Sequence, residues 1–447
     1  MLDPQLARDA VRMALDRGAT DAECTMSEGQ EFSARVRMRA LETLQDAGSR
    51  SAGLRVLIGK RVGSAYTSDL SSAGLRQMVD SALALAAIAT EDPYADLPDA
   101  SELGSMGGDL QLYSEDIQNI DTAARIQAAL EAEEAALSAD PRITNSDGAA
   151  FSAASGERVF ANSRGFLGSY RSSSCSLRAT PVARQGNTME RDFWFSSARS
   201  PSKLESPGSI GRRAAERTLR RLGARKVPTQ KAPIIFDPMT ARSLLGSICD
   251  AVDGDAIYRK ASFLAGKLGE RVASENVTIV DDGTLPGLFG TSPFDDEGVP
   301  SRRTVVIDRG VLQSYLLNTY TARKLGMRST ASAARGITGN AGVGHGNFYL
   351  EPGERKPDEI IRGIRRGLYV TELIGRGVNI VTGDYSRGAA GLWIENGEFA
   401  YPVSEITIAA NLREMLMEVE AAGSDLEFRS SVTSPTVAIR EMTISGQ

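Results

Sequence analysis

The chain has 447 residues, of which 41% are hydrophobic and 24% charged, and its formal net charge is -6. These values fit a globular protein of two or three domains with a substantial core. The acidic balance excludes the broad basic face with which proteins neutralise nucleic-acid phosphates, so we expect no nucleic-acid partner.

Cysteine and histidine usage narrows the chemistry further. Cys24, Cys175 and Cys249 are far apart and form no CxxC pair, which argues against a disulfide framework and a thiolate zinc site. His345 is the only histidine in the sequence, so one chain cannot supply a histidine-based metal cluster. The N-terminal segment is an acid-containing amphipathic helix, and no apolar run is long enough to cross a bilayer. We therefore expect a cytoplasmic protein without membrane association.

The first half predicts an antiparallel sheet with flanking helices. Apolar periodicity, helix caps and turn residues indicate these elements: helix 3–17, strands 21–27 and 32–44, a hairpin over 53–67 that turns at Gly59, helix 75–89, a loop near 91–113, helix 121–139, strands 143–146, 152–162 with a turn at Ser155-Gly156, 165–180 and 191–196, and helix 209–225. We predict an N-terminal domain over 1–225, with the loop near 91–113 separating two sub-parts, and a boundary at the Pro228 segment 226–231.

The second half predicts a mostly-β domain over 226–447. Short strands recur at even spacing and suggest a barrel or a sandwich with a few helices: strands 234–236, 276–280, 304–308, 311–316, 377–382, 390–395, 398–403, 407–409 and 436–444, with helices 240–253, 320–325, 357–366 and 411–422. Asn396-Gly397 is a strong two-residue hairpin turn. The predicted fold class is α+β.

The stretch from Pro233 to Lys260 is the centre of this arrangement. After the strand comes the breaker Asp237-Pro238, and the helix then aligns an apolar stripe: Leu244, Leu245, Ile248, Cys249 and Val252. Gly246, Asp250 and Asp253 fall on the opposite face. That face either looks into a cleft or is the solvated side of a surface helix.

A glycine-rich loop at 339–347 offers a second candidate. Glycines let a backbone approach an anion or a peptide, but Pro352 closes a loop where a phosphate-binding motif needs a helix. His345 in this loop is either a general base or ligand, or an ordinary polar loop residue. The acids at 281–282 and 295–297 lack the ligand alternation of a calcium loop and read as solvated turns.

The chain resembles the TldD/PmbA family, and within it the PmbA (TldE) branch. The likeness covers nearly the whole chain and rests on the order and spacing of these segments: Gly53–Val56, Thr144–Gly148, Asn162–Phe166, Asp253–Lys260, Asp281–Gly283, Gly298–Arg302, Asn347–Gly353 and Gly391–Gly397. The resemblance implies a cytoplasmic metallopeptidase system in which TldD and PmbA subunits pair and act on unfolded or precursor peptides.

In that family, TldD carries zinc on a helical HExxxH with a later cysteine. Aligned on Leu244-Leu245, the histidine positions fall at Gly246 and Ala251; aligned on Gly254-Asp255, they fall at Leu245 and Asp250. Neither register holds a histidine, and residues 425–447 contain no cysteine. The resemblance therefore implies no cofactor on this chain, zinc on a TldD-type partner, and a subunit that is not catalytic alone.

Such a subunit would shape a substrate chamber and hold an unfolded peptide by edge-strand pairing. The candidate chamber residues are Asp250, Asp253, Tyr258, Arg259, His345 and Asn347, with no catalytic or metal-binding residue among them. One alternative is a homodimeric peptide-binding or regulatory protein without peptidase activity. Another is an autonomous hydrolase that uses His345 with an acid or a serine.

Overall fold

The computed structural model describes residues 2–446 and divides into an N-terminal half built on one sheet and a C-terminal half built on a barrel. The predicted α+β class is confirmed. The helices are α1 (Pro4–Asp16), α2 (Ser72–Ile88), α3 (Asp116–Asn119), α4 (Thr122–Leu137), α5 (Pro207–Leu219), α6 (Pro238–Ala251), α7 (Gly254–Tyr258), α8 (Thr319–Leu325), α9 (Pro357–Arg362) and α10 (Leu412–Met417).

The strands alternate with these helices in chain order. They are β1 (Asp21–Arg37), β2 (Ala40–Ile58), β3 (Arg61–Thr67), β4 (Ile143–Asn162), β5 (Leu167–Gln185), β6 (Thr188–Arg191), β7 (Trp194–Ala198), β8 (Gln230–Phe236), β9 (Ile279–Asp282), β10 (Arg303–Asp308), β11 (Val311–Leu312), β12 (Ala333–Ala334), β13 (Gly342–Val343), β14 (Asn347–Leu350), β15 (Arg366–Ile374), β16 (Asp384–Glu395), β17 (Glu398–Asn411), β18 (Val419–Ala422), β19 (Val432–Thr433) and β20 (Val437–Ser445).

The N-terminal sheet has the strand order β3-β2-β1-β4-β5-β6, with β7 also paired to β5. Its helices cover one face. Helices α1 and α2 pack on one end of the sheet around Cys24, Met26 and Leu54, and α4 and α5 pack on the other end around Phe151 and Leu177. Because side chains alternate along a strand, the intervening residues point to the opposite face, toward the C-terminal half.

Three predicted strand breaks in this sheet are wrong, and one of them is the gap at 147–151, which lies inside β4. β1 continues through 28–31, and the predicted turn at Ser155-Gly156 lies inside β4. Gly156 pairs with Gly29 across β1 and β4, and a Cβ at Gly156 would lie only 2.8 Å from the carbonyl oxygen of Glu28. The glycine therefore permits a close approach of strands, which local sequence cannot distinguish from a turn.

The predicted strand 32–44 is also wrong, because the chain turns at Met38-Arg39. Both residues have positive φ, at 49° and 66°. Their backbone N–H groups donate to the carboxylate of Glu133 on α4, at 3.0 and 2.7 Å. A buried acid nearly a hundred residues away thus holds a turn that contains no glycine. The hairpin turn at Gly59, by contrast, is confirmed.

The C-terminal half contains a closed barrel. Strands β17, β16, β15, β8 and β20 are paired in that order, and β17 also pairs with β20 to close the ring, with β18 outside it. The barrel interior holds Phe236, Leu368, Tyr385 and Trp393, and α6 packs on the same core. A five-stranded sheet of β11, β10, β9, β14 and β19 lies beside the barrel. The barrel expectation is therefore confirmed.

Some local predictions in this half differ from the structure. The segment 377–382 forms a turn rather than a strand, and the helix predicted over 357–366 ends at Arg362 before the unpredicted strand β15. The helix predicted over 411–422 ends at Met417 and gives way to β18. Strand pairing that local sequence does not encode decides the last two cases, because β15 pairs with β8 and β16, and β18 pairs with β20.

A buried ionic and aromatic joint connects the two halves. Glu23 on β1 accepts from Arg55 on β2 at 2.8 Å and from Arg335 of the C-terminal half at 2.5 Å. Burial raises the pKa of Glu23, but the two guanidiniums outweigh that effect and hold the pKa below its usual value. Beside this joint, Phe294 packs edge-on against Phe166 with ring centroids 4.9 Å apart. The N-terminal sheet is therefore held against the C-terminal half at this end.

Candidate functional site

At the other end of the sheet the two halves leave a cavity of about 740 Å³. We call it the interdomain cavity. Its first wall is the helix-free face of β1, β2, β4, β5 and β7, and its second wall is the first two turns of α6 with the segment Arg429–Ser431. The volume falls in the range of pockets that hold small ligands or a peptide segment.

Helix α6 begins at Pro238, two residues before the predicted start at 240, so the predicted breaker Asp237-Pro238 forms the start of the helix. Asp237 caps it, accepting from the Thr240 N–H at 2.9 Å, with Pro238 in the first turn. Burial raises the pKa of Asp237, and Arg217 opposes that rise. The predicted apolar stripe is buried, which confirms it: Leu244, Leu245, Ile248, Cys249 and Val252. The first two turns of α6 contribute Met239 and Arg242 to the interdomain cavity.

Asp250 lies near His345 at the far end of α6. Desolvation raises the pKa of the Asp250 carboxyl, and the nearby His345 opposes the rise. The His345 ring places Nδ1 2.8 Å from the carbonyl oxygen of Gly346 and lies 6.3 Å from the Phe348 ring. These two predicted residues therefore come from distant segments to one place.

Asp253 and Asn347 make structural contacts. Asp253 caps the short helix α7 by accepting from the Asp255 N–H at 2.7 Å. Asn347 is fully buried; its amide donates to the Asp282 carbonyl oxygen at 2.7 Å and to Thr291 Oγ1 at 2.9 Å, and accepts from the Gly290 N–H at 2.8 Å. These bonds use most of the capacity of the amide.

Tyr258 and Arg259 line a second cavity of about 400 Å³. The loop that follows α2 also lines this cavity. The Arg259 Nε donates to the Tyr258 hydroxyl at 3.0 Å and also pairs with Asp255 at 2.9 Å. The Lys324 ammonium lies over the Tyr258 ring at 5.1 Å and over the Tyr320 ring at 5.2 Å. The six predicted residues are therefore divided among separate places, and their role in a chamber stays a prediction.

Sequence reasoning missed the residues that line the interdomain cavity. Among them are Ser176 and Arg178 on β5, and Phe193 between β6 and β7. The signal was present in β5, where Ser174, Ser176 and Arg178 alternate with Cys175, Leu177 and Ala179. That alternation indicates one polar face, but only the packing of the C-terminal half shows that the face borders a cavity.

The His, Cys and carboxylate side chains of the described residues are not arranged to hold a catalytic zinc ion. Such a site needs about three His, Cys or carboxylate ligands in one place, and residues 2–446 contain no group of three such side chains arranged to hold a metal. The thiols are buried, and burial raises the pKa of Cys24 and of Cys175 to about 12 and that of Cys249 further still. Protonated thiols are poor metal ligands.

Three family models match successive parts of the chain. They are described as PmbA/TldA metallopeptidase domain 1, over 22–86, the central domain, over 115–222, and the C-terminal domain, over 229–446. Among curated relatives, Metalloprotease PmbA of Escherichia coli O157:H7 is 39% identical over 99% of this chain and 97% of its own length. Metalloprotease PmbA homolog of Haemophilus influenzae is 37% identical over 98% and 94%.

Two solved structures are similar to this chain over nearly its whole length. A crystal structure from Bacteroides thetaiotaomicron, of a protein described as a candidate modulator of DNA gyrase, has a TM-score of 0.92 and 30% identity over 99% of this chain and 98% of that one. TldE of Thermococcus kodakarensis shares the fold, with a TM-score of 0.86 and 22% identity over 99% and 100%.

The chain belongs to the PmbA/TldD family of metallopeptidases. Within that family it is a PmbA/TldE-type member. No helix within residues 2–446 combines the length and apolarity needed to cross a membrane.

Proposed function

We propose that this chain is the PmbA/TldE-type subunit of a cytoplasmic metallopeptidase complex that degrades or matures unfolded peptides. In this proposal a TldD-type partner carries the zinc, and the present chain binds and presents the substrate. The observation that carries the proposal is the composition of α6, which has no imidazole although it borders a cavity large enough for a peptide segment.

An exposed sheet edge supports the peptide-binding part. β3 pairs only with residues 52–58 of β2, and residues 40–50 of β2 are exposed along their length. Within the described chain, no strand covers the outer side of this stretch. Its backbone N–H and C=O groups can therefore pair with an extended chain, whereas a folded protein has few free backbone groups to offer.

The matched relatives support the partnership. One solved structure of the same fold is named TldE, and a curated relative from Buchnera aphidicola, 26% identical over 45% of this chain, is named a TldD homolog. Two related but distinct chains fit a division of labour in which one supplies the metal ligands and the other supplies binding surface.

The test is metal analysis combined with reconstitution. We expect the purified chain to hold no stoichiometric zinc and to cleave no unstructured peptide. Mixing it with a TldD-type chain that contains HExxxH should produce hydrolysis that a chelator abolishes. The control partner has both motif histidines replaced and should restore nothing. Stoichiometric zinc in the isolated chain, or peptide cleavage without a partner, would contradict the proposal. Peptide binding with no hydrolysis under any pairing would instead favour a homodimeric binding protein.

A further inference from the structure

The sheet wall of the interdomain cavity carries one continuous row of polar side chains. Cross-strand register places five residues side by side on neighbouring strands: Gln45 on β2, Ser33 on β1, Ser152 on β4, Ser176 on β5 and Ser197 on β7. Every one of them lines the cavity. We call them the serine row. Neighbouring members are about 4.8 Å apart, the usual spacing of paired strands.

Three hydroxyls of this row are available to a ligand. The Ser197 hydroxyl donates to the Arg429 carbonyl oxygen at 2.7 Å. The hydroxyls of Ser33, Ser152 and Ser176 make no hydrogen bond to any part of the chain that the structure describes. A serine hydroxyl rotates and can donate or accept, so it can pair with either the N–H or the C=O of a peptide. A row of them binds a main chain without requiring a particular sequence or register.

The cavity also has a charged side. Arg178 follows Ser176 by two residues on β5, and Arg242 faces the sheet from α6. Neither guanidinium has a carboxylate partner within 4.0 Å among residues 2–446, whereas Arg429 pairs with Glu205 at 3.0 Å. The Arg178 guanidinium lies 3.9 Å from the Phe193 ring centroid, and Arg242 donates only to Ser430 Oγ, at 3.3 Å.

Glu31, an acid that lines the cavity, stands away from Arg178. Glu31 precedes Ser33 by two residues on β1, whereas Arg178 lies beyond the serine row in the opposite direction, in the cross-strand row of Arg35 and Ala150. Arg178 and Glu31 therefore lie on opposite sides of the serine row, and Asp192 acts on the Arg178 charge only from beyond ion-pair distance. A carboxylate is the complementary ligand for a guanidinium without a partner.

We propose that the interdomain cavity is a subsite for extended peptides that bear a carboxylate: the serine row binds the main chain, and Arg178 and Arg242 bind the acidic group. The inference rests on the proposed function and names its substrate class. The carboxylate is either an acidic side chain or the C-terminus of the peptide.

The experiment measures direct binding to the full-length chain alone by fluorescence anisotropy. The probes are fluorescein-labelled unstructured peptides built from Gly, Ala and Ser. One has a free C-terminal carboxylate, one is amidated and contains aspartates, one is amidated with lysines at the same positions, and one is amidated and neutral. We expect a carboxylate-bearing peptide to bind at least about tenfold more tightly than the lysine peptide. The first two probes distinguish the two sources of the carboxylate.

Two variants and their controls assign the contacts. Arg178→Gln with Arg242→Gln should remove the preference for carboxylates, while Arg184→Gln, on the same strand but outside the cavity, should leave it intact. Ser33→Ala, Ser152→Ala and Ser176→Ala together should weaken all peptides roughly tenfold, and Ser172→Ala should not. Circular dichroism checks that each variant is folded.

Three results would overturn the subsite: no peptide binding, equal binding of acidic and lysine peptides, or an undiminished preference in the arginine double variant. Because the assay uses neither zinc nor a partner, these results are independent of the reconstitution test. Failure of reconstitution with preserved carboxylate preference would leave the subsite standing and contradict only the peptidase assignment.

Discussion

Asp281 shows how strongly this structure perturbs a single carboxyl group. It lies on β9 with 4% of its surface exposed, so the solvated turn predicted at 281–282 is wrong. Its Oδ1 has no hydrogen-bond partner in the described chain. Burial raises its pKa to about 7, and a hydrogen bond with the Gly346 backbone only partly opposes that rise. Asp281 pairs across the sheet with Phe348 and hydrogen-bonds the Gly346 backbone, so it lies beside the loop of His345.

A pH titration of stability tests this assignment. In the unfolded chain Asp281 ionises near pH 3.8, and in the folded chain it ionises near pH 7. Between these values the folded state binds the proton more tightly, so this group favours folding at low pH and the benefit is lost as the pH rises to about 7. Asp281→Asn cannot ionise, so this variant does not lose that stability as the pH rises. Its stability relative to wild type should therefore increase by up to about 1.4 kcal/mol per pH unit across this window and level off above it.

Urea unfolding at a series of pH values measures this difference. Asp308→Asn, at the exposed end of β10, controls for the removal of one surface charge. A difference between Asp281→Asn and wild type that does not change with pH would show that the carboxyl is not protonated in the folded state.

The turn between β1 and β2 is stabilised by helix α4 rather than by its own residues. Two-residue hairpin turns usually place Asn or Gly at the positions with positive φ, yet Met38 and Arg39 occupy them here. The Glu133 carboxylate of α4 satisfies both turn N–H groups, and its side chain is buried beneath them. The helix therefore stabilises the conformation of the turn.

Glu133→Ala should destabilise the protein by about 1–3 kcal/mol, because it leaves two turn N–H groups without an acceptor. The neighbouring Glu134→Ala is the matched control. Glu134 pairs only with the exposed Arg39 side chain and with Ser138, and surface ion pairs contribute little. Hydrogen exchange at the hairpin, together with urea unfolding, locates the effect. Equal destabilisation by both variants would contradict this account of the turn.

For the whole molecule, the joint of Glu23, Arg55 and Arg335 determines how the two halves meet and hence the shape of the cavity between them. Arg335 is 3% exposed in its side chain and Glu23 is 2% exposed. Breaking such a buried pair from one side reduces the compensation of the remaining charge, and without Arg335 the buried Glu23 keeps only Arg55. The joint is therefore the place where a single substitution should affect both halves.

Arg335→Met should cost about 3–5 kcal/mol of stability and reduce the cooperativity of thermal unfolding. Glu23→Gln combined with Arg335→Met should cost at least about 1 kcal/mol less than the sum of the single changes, because each single change already removes the same Glu23–Arg335 interaction. Differential scanning calorimetry of the four proteins measures both quantities. Strictly additive costs would show that the pair is not coupled.

Local sequence signals predicted the elements whose stabilising contacts are local. The Asp237-Pro238 start of α6 and its apolar stripe, the Gly59 turn and the Asn396-Gly397 turn all follow from residues within a few positions of one another. The Met38-Arg39 turn did not follow, because its stabilising carboxylate comes from another element. Gly156 was misread because a close approach of strands and a turn both favour glycine.

The candidate site also combines features that the sequence shows with features that need the tertiary structure. The absence of histidines from α6 is a property of the sequence, and it carries the proposed function without any tertiary information. The serine row cannot be recognised in the sequence. Its members come from separate strands between residues 33 and 197, and only the pairing register aligns them. The division of the predicted site residues between the surroundings of His345 and the cavity at Tyr258 likewise depends on packing.

The sequence alone therefore determined the family likeness, the α+β class and the kinds of metal ligand that the chain can offer, because residue identity and short-range periodicity encode them. Only the tertiary structure decided which polar face borders the interdomain cavity, which arginines there lack a partner, and where the halves are joined. Those features arise from contacts such as that of Glu23 with Arg335, 312 residues apart. A single sequence carries no record of such pairings, since each partner alone is compatible with many folds.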